Sequence, residues 1–166
     1  MLHERGPHRS YVALAGDDRL AVGDITGLDL NADLVVLSAC HTGRGTATAG
    51  GDVIGLVRAA VAAGARHTVV SLWPVDDACG AVFMTYFYQA LLAPPGTPVA
   101  EALATAQRRV RALDAKGRAE EYERLREETG SGVAARGARD GRVPAALMGN
   151  GDHLPYHWAP FVHVGG

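Results

Sequence analysis

Two short apolar runs with one helix between them constrain this chain more than any other feature. Asp33 leads into Leu34-Val-Val-Leu-Ser-Ala39, and His67-Thr-Val-Val-Ser-Leu72 follows further on. Neither run alternates apolar with polar side chains, so each suits a strand buried on both faces, the habit of parallel sheets. Between them, residues 53–63 put Val53, Leu56, Val57, Ala60 and Val61 on one helical stripe. Asp52 is the expected N-cap and Gly64 the expected left-handed stop. Strand, helix and strand over 34–72 predict a βαβ unit with a right-handed crossover.

The flanking sequence extends this pattern. Ser10–Ala15 and Arg19–Val22, on either side of Gly16-Asp17-Asp18, read as a hairpin. After Trp73-Pro-Val-Asp-Asp77 an apolar helix is expected over about 78–92, carrying Val82, Phe83, Tyr86, Phe87 and Leu91. Pro94-Pro95-Gly96 breaks it. Thr97 is then the expected cap of a helix with Pro98 at its first position, running to about Leu113. Its Val99, Leu103, Ala106 and Val110 point inward, and Arg108, Arg109 and Arg111 mostly outward. Residues 114–152 hold a charged helical piece over 118–129 and then a Gly/Ala/Arg stretch with little to bury, read as a variable insertion or loop. The end returns to strand composition over 159–164. Alternating strands and helices predict an α/β fold with a mainly parallel sheet of strands 34–39, 67–72 and 159–164. Such a sheet leaves a hydrophobic edge beside 34–39, where a further strand is expected.

Composition narrows the function classes. In 166 residues, 48% are hydrophobic and 20% charged, with a net charge of −2, so the chain is globular and no basic field draws it to nucleic acid or an anionic membrane. No apolar run is long enough to span a bilayer, and the N-terminus lacks a secretory signal. Two cysteines make no disulfide framework, which points to a reducing, cytoplasmic setting. Lys116 is the one lysine among 16 basic residues, a bias we ascribe to a GC-rich genome.

In open parallel sheets, function collects beyond the carboxyl ends of the strands. Cys40 stands there, with His41-Thr-Gly-Arg-Gly45 after it. By position alone, a thiolate nucleophile and a buried inert cysteine are equally good readings. A nucleophile needs a base, and His41 should face away from the Cys40 sulfur because consecutive strand residues point to opposite faces. No spacing rule brings His3, His8, His153, His157 or His163 to Cys40. Asp76 and Asp77 follow the second strand on the same rim. One is expected to cap the helix that begins at 78, leaving the other for a basic or amide-bearing substrate side chain. Trp73 either lines that pocket or packs at the core or rim. Cys79 reads as core. The glycine-rich loop 43–51 has no Gly-Lys-Ser/Thr and so fails as a phosphate loop. His153, His157 and His163 have zinc-compatible spacing, but prolines interrupt them and they read as structural; no metal or cofactor is expected.

Leu37-Ser-Ala-Cys-His-Thr-Gly43 resembles the nucleophile motif of CHAT domains, caspase-like domains found beside tetratricopeptide (TPR) repeats. The likeness continues through Gly51-Asp-Val-Ile-Gly-Leu-Val-Arg58, Ala63-Gly-Ala-Arg66, Ser71-Leu-Trp-Pro-Val-Asp-Asp77, Phe87-Tyr88 and His157-Trp-Ala-Pro-Phe161. Pro7–Leu14 and Asp24–Leu28 resemble the segment preceding the cysteine strand. The resemblance covers most of the chain outside 114–152. It implies one caspase-like domain over 1–166, a three-layer α/β/α sandwich, and a clan CD-type peptidase with a Cys/His dyad. Cys40 would be its nucleophile, and Trp73, Asp76 and Asp77 would lie in the substrate pocket. The implied partners are a peptide or protein substrate and a TPR region in the same or a neighbouring polypeptide.

This chain departs from the family pattern at its start. The family's histidine sits in an Ala-Thr-His-Gly-like motif just ahead of the segment matching residues 1–14, and the sequence begins at Met1-Leu2-His3. The expectation is a domain without its N-terminal strands and its base, inactive alone. The alternative is a non-catalytic interaction module.

Overall fold

The computed structural model describes residues 11–13, 18–38, 51–73, 75–128 and 155–166. The chain divides into two units, one of Met1–Pro74 with Phe161–Gly166 and one of Val75–Pro160.

The first unit contains the βαβ element. A hairpin of β1 (Tyr11–Ala13) and β2 (Arg19–Ala21) pairs Tyr11 with Ala21 and Ala13 with Arg19. The Arg19 guanidinium lies 4.5 Å from the Tyr11 ring centroid. A short helix not foreseen from the sequence, α1 (Val22–Thr26), follows directly. Its Asp24 carboxylate accepts the Ala21 amide at 2.9 Å, and so holds an otherwise unpaired N–H at the helix start. Then come β3 (Leu34–Leu37), α2 (Gly51–Ala62) and β4 (His67–Ser71), with β3 parallel to β4 from Leu34↔His67 to Leu37↔Val70. Helix α2 begins one residue before Asp52, so Asp52 stands in its first turn, not in front of it. Its buried stripe includes Ala59 and Ala60, whereas Val61, expected inside, is exposed. Gly64 adopts φ +100 and ends the helix, with the Ala65 amide reaching the Ala60 carbonyl at 3.0 Å and the Gly64 amide the Val61 carbonyl at 3.1 Å.

In β4 the adjacent residues Val69 and Val70 are both sealed from solvent. Adjacent strand residues face opposite sides, so both faces of β4 are covered, as its unbroken apolar run predicts. All four residues of β3 are only half-buried. The sheet order β3-β4-β5 explains this, since β3 is an edge among the described residues. The last strand, β5 (Phe161–Gly165), runs antiparallel to β4, from Ser71↔Phe161 to His67↔Gly165. That corrects the parallel direction expected for 159–164, and among the described residues the sheet is mixed, not mainly parallel. Apolar patterning marks a strand but carries no direction, and an antiparallel partner needs no helical crossover. The architecture is α/β.

The second unit is helical. Helix α3 (Asp77–Leu92) and helix α4 (Val99–Arg111) pack together through a buried set that includes Val82, Phe83, Tyr86 and Phe87 on α3 and Ala102, Leu103, Ala106 and Val110 on α4. Pro98, not Thr97, is the N-cap of α4, and the Thr97 hydroxyl donates instead to the Pro94 carbonyl at 2.9 Å. The arginines at the end of α4 are exposed but engaged. Arg109 lies 4.1 Å from the Tyr86 ring centroid, and Arg111 lies 5.1 Å from that of Trp158. Helix α5 (Ala115–Glu128) starts earlier than its charge pattern indicates, because Asp114 accepts the Gly117 amide at 2.7 Å. Ion pairs three and four apart, Arg124 with Glu121 at 2.7 Å and with Glu128 at 2.6 Å, support its outer face. Its inner face buries Arg118 and Tyr122 and packs on α3. The Gly/Ala/Arg stretch that follows lies outside the described residues. A single helical turn, α6 (Pro155–Trp158), precedes β5.

Candidate functional site

Parallel pairing puts the carboxyl ends of β3 and β4 at the same edge of the sheet. Ser38 leaves that edge from β3 and leads to Cys40. Leu72 and Trp73 leave it from β4. Cys40, His41, the 43–51 loop except Gly51, His3, His8 and His153 lie outside the described residues. Ser71 is fully buried at the end of β4, Leu72 is exposed and Trp73 is partly exposed. The Trp73 indole Nε1 is itself buried and meets no hydrogen-bond acceptor among the described residues. A tryptophan N–H in that state is uncommon, because a buried donor left unpaired costs about 1–3 kcal/mol.

The two aspartates have different positions. Asp76 is the N-cap of α3, in extended backbone geometry at φ −61 and ψ 141, and its Oδ1 accepts the Ala78 amide at 3.0 Å. Asp77 is the first helical residue, exposed, where a carboxylate also suits the positive end of the helix. Of the two expected roles, the cap therefore belongs to Asp76.

The residues that chemistry would notice next were not brought together by sequence. Cys79, on the first turns of α3, and His157, on α6, both lie in the helical unit and both are buried. The Cys79 sulfur is 3.6 Å from His157 Nδ1. Burial pushes the Cys79 thiol up to about 12, with the Asp76 carboxylate adding to the rise and Arg118 opposing it. A thiolate is the reactive form of cysteine, so at neutral pH Cys79 is a protonated, inert thiol whose contact with imidazole is structural. The core reading of Cys79 fits this. Its pairing with His157 was not legible, because 78 residues separate the two and no spacing rule links them.

His163 is likewise engaged elsewhere. On the sheet its Nε2 lies 3.1 Å from Nδ1 of His67. The two described histidines of the zinc-compatible set thus fall in different units: His157 faces a thiol in one and His163 another histidine in the other. Among the described residues no group of three or more histidine, cysteine or carboxylate side chains is placed to hold a metal ion. No helix among them is long and apolar enough to cross a membrane.

Comparison with known proteins bears on this arrangement. No solved structure matches the chain. Tetratricopeptide repeat protein 28 of Mus musculus is 42% identical over 73 residues, and its Homo sapiens counterpart is 44% identical over 73 residues. In each case the match takes in 44% of this chain and 3% of the relative, so the chain corresponds to a small fraction of those proteins' length. The family model described as CHAT domain matches residues 1–166, the full length of the sequence, and on that match the chain belongs to the CHAT domain family.

Proposed function

We propose that this chain is the nucleophile-bearing part of a caspase-like cysteine peptidase domain that works beside TPR repeats. The observation that carries the reading is the parallel pairing of β3 with β4, in a chain that matches the CHAT family throughout and whose sequence reaches Cys40 three residues after β3 ends. The family match supports a three-layer α/β/α sandwich, and the repeat-protein relatives support a TPR neighbour.

In this reading the Cys40 thiolate attacks the scissile carbonyl carbon, and backbone amides around Cys40 hold the oxyanion. Collapse of the tetrahedral intermediate expels the amine, which takes a proton from a histidine. Water then hydrolyses the thioester and regenerates the thiol. The described histidines do not suit the role of base. His157 faces Cys79, and His67 and His163 face each other. The reading assigns the base to the histidine of the family's Ala-Thr-His-Gly-like motif. Asp77 keeps the role that the family resemblance implies, contact with a basic or amide-bearing substrate side chain. Trp73, whose indole N–H has no acceptor among the described residues, is assigned to substrate contact.

The test is a peptide carrying a thiol-reactive electrophile, applied to the chain alone and within the polypeptide its gene encodes. Adduct formation at Cys40 in the gene-encoded polypeptide, retained in Cys79→Ser and lost in Cys40→Ala, is the expected result. Equal labelling of native protein and Cys40→Ala removes Cys40 as nucleophile. A native protein that takes no adduct favours the non-catalytic interaction module.

A further inference from the structure

The last strand carries a contact that does not depend on the peptidase chemistry. Strand β5 pairs with β4 so that His163 lies opposite Val69 and Gly165 opposite His67. Paired residues and every second residue share a face, so His67 and His163 are diagonal neighbours on one face. Diagonal side chains are ordinarily too far apart to bond unless both are long and the space between them is free. Gly165, the residue opposite His67, has φ +126, and a Cβ at this position would collide with the Arg66 carbonyl oxygen, so no side chain stands there. With no side chain opposite His67, the His163 ring leans across to bring its Nε2 within 3.1 Å of His67 Nδ1, the rings tilted 43° with centroids 5.1 Å apart.

Two imidazoles joined in this way have three protonation states. With both neutral, one nitrogen donates and the other accepts. With one cationic, the cation donates to the neutral ring and the bond is charge-assisted. With both cationic, neither facing nitrogen has a lone pair, the bond is lost and two positive charges meet across it. Both rings are partly exposed, so protons reach them from solvent.

The surrounding charges do not offset that repulsion. Arg66 and Asp33, at the same end of the sheet, bind one another at 2.9 Å with both side chains largely exposed. On α2, which packs on β4, the charged residue with a described side chain is Arg58, a cation on the exposed surface. Asp24 on α1 is held by the Ala21 amide. We infer that His67 and His163 form a proton-operated clasp that fastens the end of β5 to β4 at neutral pH and releases it in acid.

The direction of titration agrees with the geometry. Burial, and then the charge of His67, lowers His163 below its ordinary value of 6.5. A histidine lowered in the folded state binds protons more readily when unfolded. Its contribution to stability is therefore whole above about 6.5 and is lost as pH falls below that towards the lowered folded value.

Amide hydrogen exchange on the full chain at pH 7.5 and pH 5.0, corrected for intrinsic rates, tests the clasp. Protection of Val162–Gly165 should fall about tenfold or more at the lower pH, while Ala102–Ala106 in α4 keep theirs. In His163→Gln, which keeps a donor and an acceptor but does not titrate here, protection of β5 should no longer depend on pH. His67→Asn provides the same control from the other strand if His163→Gln does not fold. An undiminished β5 in the native chain at pH 5.0, or an equal loss in the non-titrating variants, overturns the inference.

Discussion

His67 and His163 meet on one face of the sheet with both rings partly open to solvent, whereas Cys79 and His157 meet inside the helical unit and are buried. The chemistry of the two pairs is similar: a histidine nitrogen within hydrogen-bond distance of another polar atom. Solvent access separates them. Protons reach the sheet pair, so its bond can be held at neutral pH and released in acid. The helical pair is sealed, and its thiol is held at about 12, far above neutral pH. A cysteine beside a histidine is therefore no sign of a nucleophile and its base. Burial decides whether the thiolate is accessible at all.

The most severe way to break this contrast is His157→Ala. If the helical pair is structural, deleting the ring opens a cavity against Cys79 and costs about 2–3 kcal/mol, read as a lowered urea midpoint with unchanged slope. A loss of only about 0.5 kcal/mol would place His157 with ordinary surface residues.

Asp76→Ala sharpens the contrast at a smaller scale. Removing the cap of α3 should cost about 1 kcal/mol, most of it restored in Asp76→Asn. Both variants also remove a charge that raises the Cys79 thiol, so its titration should move down in each, yet stay above the ordinary range because burial is the larger cause.

The elements were more legible than the site. Continuous apolar runs marked β3 and β4, and the helical stripe between them marked α2, because burial on two faces or on one leaves a direct imprint on residue order. The direction of β5 left no such imprint, since Phe161, Val162 and Val164 suit a parallel or an antiparallel strand equally. Helix α1 was missed because its five residues, Val22–Thr26, are too few to show a period, and it depends on the Asp24 carboxylate meeting the Ala21 amide. Helix α5 read only as a charged helical piece, yet in the structure its Arg118 is almost wholly buried and its Nη1 donates to the Leu113 carbonyl at 2.9 Å. For the site, local chemistry showed that Asp76 or Asp77 would cap a helix. Contacts between distant residues, Cys79 with His157 and His67 with His163, depend on tertiary packing that spacing does not encode.

The central claim is that thiol chemistry in this chain belongs to Cys40 and that Cys79 is sealed against it. Brief treatment of the native protein with iodoacetamide at pH 8, followed by mass spectrometry of both cysteine peptides, measures this directly. The account predicts alkylation at Cys40 in the folded protein and at Cys79 only after urea unfolding. Alkylation of native Cys79 at a rate equal to or above that of Cys40 would contradict it.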